Sequence, residues 1–216
     1  MDSIGFSYQK LYELQDEVLG LVFGVENIFY LTGGTCLSRF YQEKRYSDDL
    51  DFFTNNSPRY SFAIKKIKQA LAAKFDLSIE IESKDFTRYK INNFLQVDFV
   101  NDIDARYKDV VVIEYGYIID NIENILSNKL TAVIGRDNPK DIFDIYLIWK
   151  YYKFDWIEIV LSAHQKAGFS DEELIVRLKS FPRSLLDDII LVDKHFLDDF
   201  DKEYPKLVDE ISNATC

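Results

Sequence analysis

Two consecutive glycines stand between an apolar run and an acidic run, and this segment constrains the fold of the chain most. Residues 27–32 are apolar and β-favouring, and Gly33 and Gly34 follow them. This glycine pair predicts a turn, because glycine adopts backbone conformations that other residues rarely reach. Residues 50–54 are a second strand candidate. Between the two, residues 35–42 have the spacing of a short helix. The segment therefore predicts a strand, a glycine turn, a helix and a second strand.

The remaining apolar pattern predicts an N-terminal helix, a second helix, further strands and then only helices. Residues 2–24 have apolar residues at helical spacing. Residues 58–75 are amphipathic with helical spacing. Strand-like runs follow at residues 77–83, 86–92 and 94–100, and residues 110–119 are a further strand or a strand pair. From Asp120 onward the spacing is helical. We therefore predict an α+β fold, with a mixed β-sheet of about five strands flanked by helices in residues 1–120. A helical C-terminal region, residues 121–216, is expected to pack on that core.

Composition limits the class of protein. Of the 216 residues, 47% are apolar, which is enough for a folded core. The formal net charge of −11 disfavours a non-specific nucleic-acid coat, because such proteins are basic. The sequence has no apolar run of the ~20 residues that span a bilayer and no signal-like start, so no membrane association is expected. With only Cys36 and Cys216 it has no disulfide or zinc pattern, which favours a cytoplasmic protein.

The acidic residues after the glycine turn are placed to share one face of the sheet. In a strand, Asp49 and Asp51 project to the same side, whereas Leu50 and Phe52 project into the core. Asp98 stands on the polar face of its own strand, and a neighbouring position would bring the three carboxylates together. Such carboxylates stay ionised together only around a cation, and oxygen ligands favour Mg²⁺ or Mn²⁺. Two such ions suit in-line displacement at phosphorus.

The glycine turn supplies the complementary half of this predicted site. Gly33 and Gly34 let a phosphate approach the backbone closely, and Thr35 is placed to cap the following helix. The first turn of that helix offers unpaired N–H groups and a positive dipole end to an anion, and the Thr35 hydroxyl is a further donor. The turn is therefore expected to hold the phosphates of a nucleoside triphosphate while the aspartates hold the metal ions.

These residues resemble known sequence signatures. Gly33-Gly34-Thr35, thirteen further residues and then Asp49-Leu50-Asp51 look like the glycine turn and D-x-D of polymerase-β-type nucleotidyltransferases. More narrowly, the segment resembles the AbiEii/AbiGii toxin-type nucleotidyltransferase family, with its G-G-T-x-L and R-x-S-x-D-L-D-F-F motifs. The second motif is matched by Arg45, Ser47, Asp49, Leu50, Asp51, Phe52 and Phe53. A later family motif is matched by Lys129, Arg136, Lys140, Asp141 and Asp144.

The resemblance, which spans about residues 28–148, implies a polymerase-β-like core and a metal-dependent reaction. A nucleoside monophosphate passes from an NTP to an acceptor hydroxyl, and pyrophosphate is released. Asp49 and Asp51 are then expected to bind both metal ions, while Asp98 binds the ion nearest the attacking oxygen and is its candidate base. Most of the catalysis comes from positioning and charge neutralisation. The family also implies an antitoxin partner, and tRNA or another RNA is the expected acceptor.

Three further matched residues have roles beside these carboxylates. Lys129 lies in a predicted helix and is expected to reach the triphosphate as a point charge. An ordinary solvated lysine is the alternative. Arg45 and Ser47 flank the turn into the D-x-D strand, where they either contact phosphate or orient Asp49.

The last matched pair and one unmatched position complete the predicted site. Asp141 and Asp144 share one helix face, and they either pair with Lys129 or Arg136 or shape the nucleotide and acceptor site. Gln96 stands two residues before the third carboxylate, where family members often carry a basic residue.

The same sequence also fits a non-catalytic protein of this fold that binds a nucleotide or a protein, and a transferase that acts on a small molecule or a protein.

Overall fold

The computed structural model describes residues 7–104 and 106–215, which fall into two compact units. The first unit contains the described residues within 7–35, 47–103 and 110–120. The second contains those within 36–46, 104–109 and 121–215. Cys36 is buried, whereas Cys216 lies outside the described residues.

The first unit is built around one mixed β-sheet. Its strands are β1 (Tyr30–Thr32), β2 (Asp49–Asn55), β3 (Leu77–Glu82), β4 (Phe86–Ile91), β5 (Leu95–Asp102), β6 (Val111–Val112) and β7 (Ile118–Ile119). They follow the order β3-β4-β5-β2-β1-β7-β6 across the sheet. β2 runs parallel to β5 and β1 runs parallel to β7, while the other neighbouring pairs are antiparallel. The predicted mixed fold is confirmed.

The sheet has seven strands within the described residues rather than about five, because residues 110–119 fold as a hairpin. Its two strands, β6 and β7, have two residues each and lie on either side of a 3-10 turn, Glu114–Gly116. Tyr115 and Gly116 both have positive φ values, which allow the chain to reverse over so few residues. Strands this short contain too few residues for alternation to separate them in the sequence.

Alternation along β2 gives its two faces different partners. Leu50 and Phe52 are fully buried, whereas Asp49 and Asp51 are only partly buried. The Phe52 ring stacks on the ring of Phe99 at a centroid distance of 5.1 Å. The apolar side of β2 therefore belongs to the core, and both aspartates stand on the opposite face.

Two helices cover the apolar face of the sheet. α1 (Tyr8–Val25) and α3 (Tyr60–Lys74) pack against each other, and α1 also contacts β5. From α1, Phe23 meets Phe52 edge-on, with ring centroids 5.6 Å apart. Because these helices bury the face of Phe52, the face that carries the aspartates is left for other partners.

The second unit is helical, as predicted. Its elements are α4 (Ile122–Gly135), α5 (Pro139–Tyr151), α6 (Trp156–Lys166), α7 (Asp171–Ser180), a 3-10 segment (Arg183–Asp188) and α8 (Phe200–Ala214). A polar side chain caps each of α4 to α7 by accepting a hydrogen bond from the first turn; the caps are Asn121, Asn138, Asp155 and Ser170. α4 packs against α5, α6 and α7. One further helix, α2 (Gly33–Phe40), begins in the first unit and continues in the second.

None of the helices in the described part of the chain combines the length and the apolarity needed to cross a membrane.

Candidate active site

A row of polar side chains crosses four strands of the first unit. Asp51 on β2 is the direct register partner of Asp98 on the parallel strand β5. Asp98 is also the partner of Arg88 on β4, and Asp51 is the partner of Thr32 on β1. Residues in register point to the same face, so Asp51 and Asp98 stand side by side, with Asp49 two residues earlier on the same face. The sheet thus places the three carboxylates that the sequence singled out on one face, with Asp51 and Asp98 in direct register.

The third carboxylate is already paired with a cation. Arg88 binds Asp98 through two hydrogen bonds, from Nε to Oδ1 at 2.8 Å and from Nη2 to Oδ2 at 2.7 Å. The Gln96 side chain also donates to Asp98 Oδ2, at 3.3 Å. The hydrogen bond to Asp98 is the main reason that the pKa of Arg88 lies above its ordinary value, and the negative charge of Asp51 adds to it. Asp98 is thus held as an ion pair.

The donor chemistry suits a hard divalent cation, but the three carboxylates are not yet arranged around one. Across residues 7–104 and 106–215, no group of three or more His, Cys, Asp or Glu side chains is positioned to hold a metal ion. Asp49, Asp51 and Asp98 offer only oxygen ligands, as Mg²⁺ prefers. Asp98 Oδ1 has a lone pair besides the one that Arg88 uses, whereas Oδ2 accepts from both Arg88 and Gln96. The predicted metal site fits these residues and stays a prediction.

Gly33 brings the backbone against the carboxylate of Asp51. Its φ is +71°, in the region that favours glycine, and a Cβ added there would lie only 2.6 Å from Asp51 Oδ2. Any other residue would therefore be strained in its backbone and would also collide with the carboxylate. The glycine turn and the D-x-D strand consequently form one compact structure rather than two adjacent motifs.

The Thr35 side chain has a different role from the predicted cap. α2 begins at Gly33, so Thr35 lies inside the helix, and its fully buried hydroxyl donates to the backbone carbonyl of Asp49. The capping prediction is therefore wrong, and the hydroxyl proton is not directed at a phosphate. This hydrogen bond instead ties the start of α2 to the start of β2, which fixes the backbone that carries Asp49.

Ser47 is anchored to α1 through its backbone. Its carbonyl accepts a hydrogen bond from Gln15 Nε2 at 3.1 Å, and its N–H donates to the hydroxyl of Tyr12 at 3.3 Å. Ser47 is also buried. These contacts position the entry into β2, while the predicted phosphate contact of Ser47 stays a prediction.

The second unit contains a buried cluster of charges built from the later motif. Lys129 Nζ lies 2.8 Å from Asp141 Oδ1 and 2.8 Å from Asp144 Oδ2. Arg45 binds both oxygens of Asp144, and Arg136 binds both oxygens of Asp141. Of the alternatives expected for Asp141 and Asp144, the structure shows pairing: both aspartates pair with Lys129, and Asp141 also pairs with Arg136. Lys129 is therefore not an ordinary solvated lysine. Arg45, for which a phosphate contact was one expectation, is buried against Asp144 instead.

Mutual attraction outweighs the cost of burial in this charge cluster. Burial alone would lower the pKa of Lys129, but the charges of Asp144 and Asp141 raise it above its ordinary value. Burial would raise the pKa of both aspartates, but Lys129 and Arg136 lower it for Asp141, and Arg45 and Lys129 lower it for Asp144. Lys129, Asp141 and Asp144 are therefore held in their charged forms at neutral pH.

With both units described, sequence comparison decides the family. The model of the family described as "Nucleotidyl transferase AbiEii toxin, Type IV TA system" matches residues 22–213. The chain belongs to this AbiEii family. The predicted recognition is therefore confirmed, and membership assigns the chain to the nucleotidyltransferases and to the toxin component of type IV toxin–antitoxin systems.

One curated relative and two solved structures are similar to the chain over most of its length. The AbiEii chain is 28% identical over 172 residues to uncharacterized protein aq_aa25 of Aquifex aeolicus (strain VF5). This match covers 78% of the AbiEii chain and 82% of the relative. The crystal structure of JHP933 from Helicobacter pylori shares the fold, with a TM-score of 0.58 and 22% identity over 99% of this chain and 92% of that one. MenT4, a nucleotidyltransferase toxin of Mycobacterium tuberculosis H37Rv, has a TM-score of 0.65 at 15% identity, over 97% and 88% of the two chains.

Arg88 is the residue of the AbiEii chain that motif reasoning missed. It lies outside every motif, and residues 86–92 predicted only a strand. The sequence signal that could have indicated Arg88 was the alternation along residues 86–91, which places Arg88 and Lys90 on one face of β4. A tight turn between β4 and β5 places that face beside Asp98, but this pairing depends on a register that the sequence alone does not specify.

Proposed function

We propose that the chain is a divalent-metal-dependent enzyme that transfers a nucleoside monophosphate from an NTP to an acceptor hydroxyl. The single observation that supports this most is the register of β2 and β5, which sets Asp51 directly beside Asp98 on the face that α1 and α3 leave uncovered. Oxygen ligands on adjacent strands, reached by a glycine backbone, are what a metal–triphosphate complex requires.

The reaction forms one bond and breaks one. The acceptor oxygen forms a bond to the α-phosphorus of the NTP while the bond from that phosphorus to the bridging oxygen breaks, and pyrophosphate leaves. Divalent ions, when bound, would neutralise the charge on the phosphates and lower the pKa of the acceptor hydroxyl. Asp49 and Asp51 would hold both ions, and Asp98 would hold the ion nearest the acceptor. The carboxylate of Asp98 would accept the proton of the acceptor hydroxyl at Oδ1 or Oδ2.

The glycine turn would bind the triphosphate through its backbone. Gly33 and Gly34 carry no side chain, and they begin α2, where N–H groups lack helical acceptors and the helix dipole is positive. The Thr35 hydroxyl donates to the backbone carbonyl of Asp49, so Thr35 would contact phosphate only through its backbone N–H.

Lys129 would supply a positive charge to the nucleotide, as the family motif implies. Three cations, Arg45, Lys129 and Arg136, surround two anions, Asp141 and Asp144, so the cluster has one positive charge in excess. The ammonium of Lys129 has three donors, of which Asp141 and Asp144 take two. In this proposal Asp141 and Asp144 hold Lys129 in position as a charged ammonium.

We further propose RNA, with tRNA as the first candidate, as the acceptor, and a cognate antitoxin protein as the partner. The family belongs to type IV toxin–antitoxin systems, which supports the antitoxin. The net charge of −11 requires that RNA be held by a local surface rather than by the overall field of the protein.

The test is label transfer with purified protein. Each α-³²P-labelled NTP is incubated with total RNA and Mg²⁺, beside a reaction with EDTA and a reaction with Asp51→Asn. Label that enters RNA only with Mg²⁺ and wild-type protein supports the proposal. Label on a protein or a small molecule would move the acceptor to those classes. Nucleotide binding by calorimetry without transfer to any acceptor would instead make the chain a non-catalytic nucleotide-binding member of the fold.

A further inference from the structure

We propose that Arg88 is the resident counter-ion of the third carboxylate, and that it exchanges Asp98 for the triphosphate when metal and nucleotide bind. This inference deepens the proposed function and rests on it. It assigns Arg88 two successive partners, and it predicts that the free protein binds divalent ions weakly until a nucleotide is present.

The Arg88–Asp98 pair has the geometry of a strong but replaceable interaction. Two nearly parallel hydrogen bonds of 2.8 and 2.7 Å join the guanidinium to the carboxylate, which is the fork geometry that arginine also forms with phosphate. The side chain of Asp98 is only 9% exposed, whereas that of Arg88 is 32% exposed. The carboxylate is therefore fixed in the sheet, while the guanidinium lies nearer to solvent and is the partner that can move.

The position of Asp51 explains why a cation is needed in the absence of metal. Asp51 and Asp98 are register partners on adjacent strands, and two carboxylates at this separation repel each other. Arg88 neutralises one of them, and Glu80 and Asp51 are the further acidic groups whose charges act on its guanidinium. No other cation is recorded in contact with Asp98 within the described residues.

A divalent ion at Asp98 must compete with this guanidinium. Both need lone pairs of the same carboxylate, and two cations on one carboxylate repel each other at short range. Arg88 therefore opposes metal binding to the free protein. A metal–NTP complex changes the balance, because its triphosphate offers oxygen pairs to which the released guanidinium can bind. Metal and nucleotide should consequently strengthen each other's binding by the same factor.

The chain contains a matched control for this role. Lys90 is two residues from Arg88 on β4 and shares its face, but its register partner is Gln96 rather than a carboxylate. Arg88→Gln and Lys90→Gln remove the same charge from the same strand. Only the first removes the partner of Asp98, so a difference between them cannot come from net charge alone.

The experiment measures Mn²⁺ affinity by electron paramagnetic resonance and calorimetry, without nucleotide and with a non-hydrolysable NTP analogue. Without nucleotide, Arg88→Gln should bind Mn²⁺ about tenfold more tightly than wild type, since a charge-assisted pair no longer has to be displaced. Lys90→Gln should stay within about twofold of wild type, as expected for a screened surface charge. The nucleotide analogue should raise the Mn²⁺ affinity of wild type strongly and that of Arg88→Gln much less.

A second variant keeps the proposal open to refutation if Arg88→Gln does not fold. Arg88→Lys retains the charge but cannot form the fork, and its Mn²⁺ affinity should lie between those of wild type and Arg88→Gln. Equal Mn²⁺ affinities and equal nucleotide coupling in wild type and the Arg88 variants would overturn the inference while leaving the proposed function intact. If no form binds Mn²⁺ even with nucleotide, the proposed function and the inference both fail.

Discussion

Arg45 binds Asp144 through two hydrogen bonds of 2.8 Å, and both side chains are almost completely removed from solvent. The two residues are 99 positions apart in the sequence. Lys129 approaches the same carboxylate from a second direction, at 2.8 Å. Asp144 therefore joins Arg45, from the R-x-S-x-D-L-D-F-F motif, and Lys129, from the later family motif, in one buried cluster of charges.

Replacing the central anion of this cluster should strongly destabilise the protein. Asp144→Asn leaves Arg45 and Lys129 buried without their shared counter-charge, and breaking a buried pair in this way costs ~3–5 kcal/mol. Chemical denaturation, followed by circular dichroism, measures the change in unfolding free energy. Asp141→Asn is the comparison, because one of the two cations paired with Asp141, Arg136, has a side chain that is 57% exposed and can be rehydrated, and the other, Lys129, keeps Asp144. Equal losses for the two variants would contradict the burial argument.

Acid should weaken the fold through the same two carboxylates. The pKa values of Asp141 and Asp144 are lowered in the folded state, so their stabilisation is fully present above the unfolded-state value of about 4. It is lost as the pH falls from there through the lower folded-state values. Unfolding free energies measured between pH 3 and 6 should show a steeper acid dependence for wild type than for Asp144→Asn. Parallel curves would remove Asp144 from the explanation.

Because Gly33 lies so close to Asp51, Gly33→Ala should lose activity and a moderate amount of stability. Gly33→Ala must adopt a φ of +71° and place its Cβ 2.6 Å from Asp51 Oδ2, so either the backbone or the carboxylate has to move. The left-handed conformation alone costs about 1–2 kcal/mol. Gly24→Ala is the control, since a Cβ there meets nothing within 4 Å and the position is helical. Label transfer should fall only in Gly33→Ala.

Two similar substitutions of Thr35 should differ in their effect on stability, because only one of them keeps the hydroxyl. Thr35→Val preserves shape but leaves the partly buried carbonyl of Asp49 without this donor, at a cost of about 0.5–1.5 kcal/mol. Thr35→Ser keeps the hydroxyl and should retain most of the stability. Thermal unfolding measures the difference. Thr35→Val should also lower the transfer rate, because the backbone that carries Asp49 is no longer fixed. Equal behaviour of both variants would show that the hydrogen bond contributes nothing.

Local sequence patterns predicted the parts of this molecule that depend on neighbours in the chain. The period of two along β2 was enough to put Asp49 and Asp51 on one face, and helical spacing identified the helices that follow Asp120. What failed needed long-range information. The Arg88–Asp98 pair depends on strand register, and the Arg45–Asp144 pair depends on tertiary packing. The cap prediction for Thr35 failed because Ser, Thr and Asp favour caps locally, whereas the Thr35 hydroxyl here donates to the backbone carbonyl of Asp49, 14 residues away.

Asp51 should be required for transfer but not for folding. It stands beside Asp98 on the neighbouring strand, so Asp51→Asn or Asp51→Ala removes a like charge from the pair and reduces repulsion in the absence of metal. We expect the unfolding free energy to stay within about 1 kcal/mol of wild type or to rise, as for a partly exposed charge. Transfer of label and Mn²⁺ binding with nucleotide should both be lost. A variant that unfolds in metal-free buffer would instead show that the carboxylate of Asp51 holds the sheet together, which would leave the proposed chemistry without its central ligand.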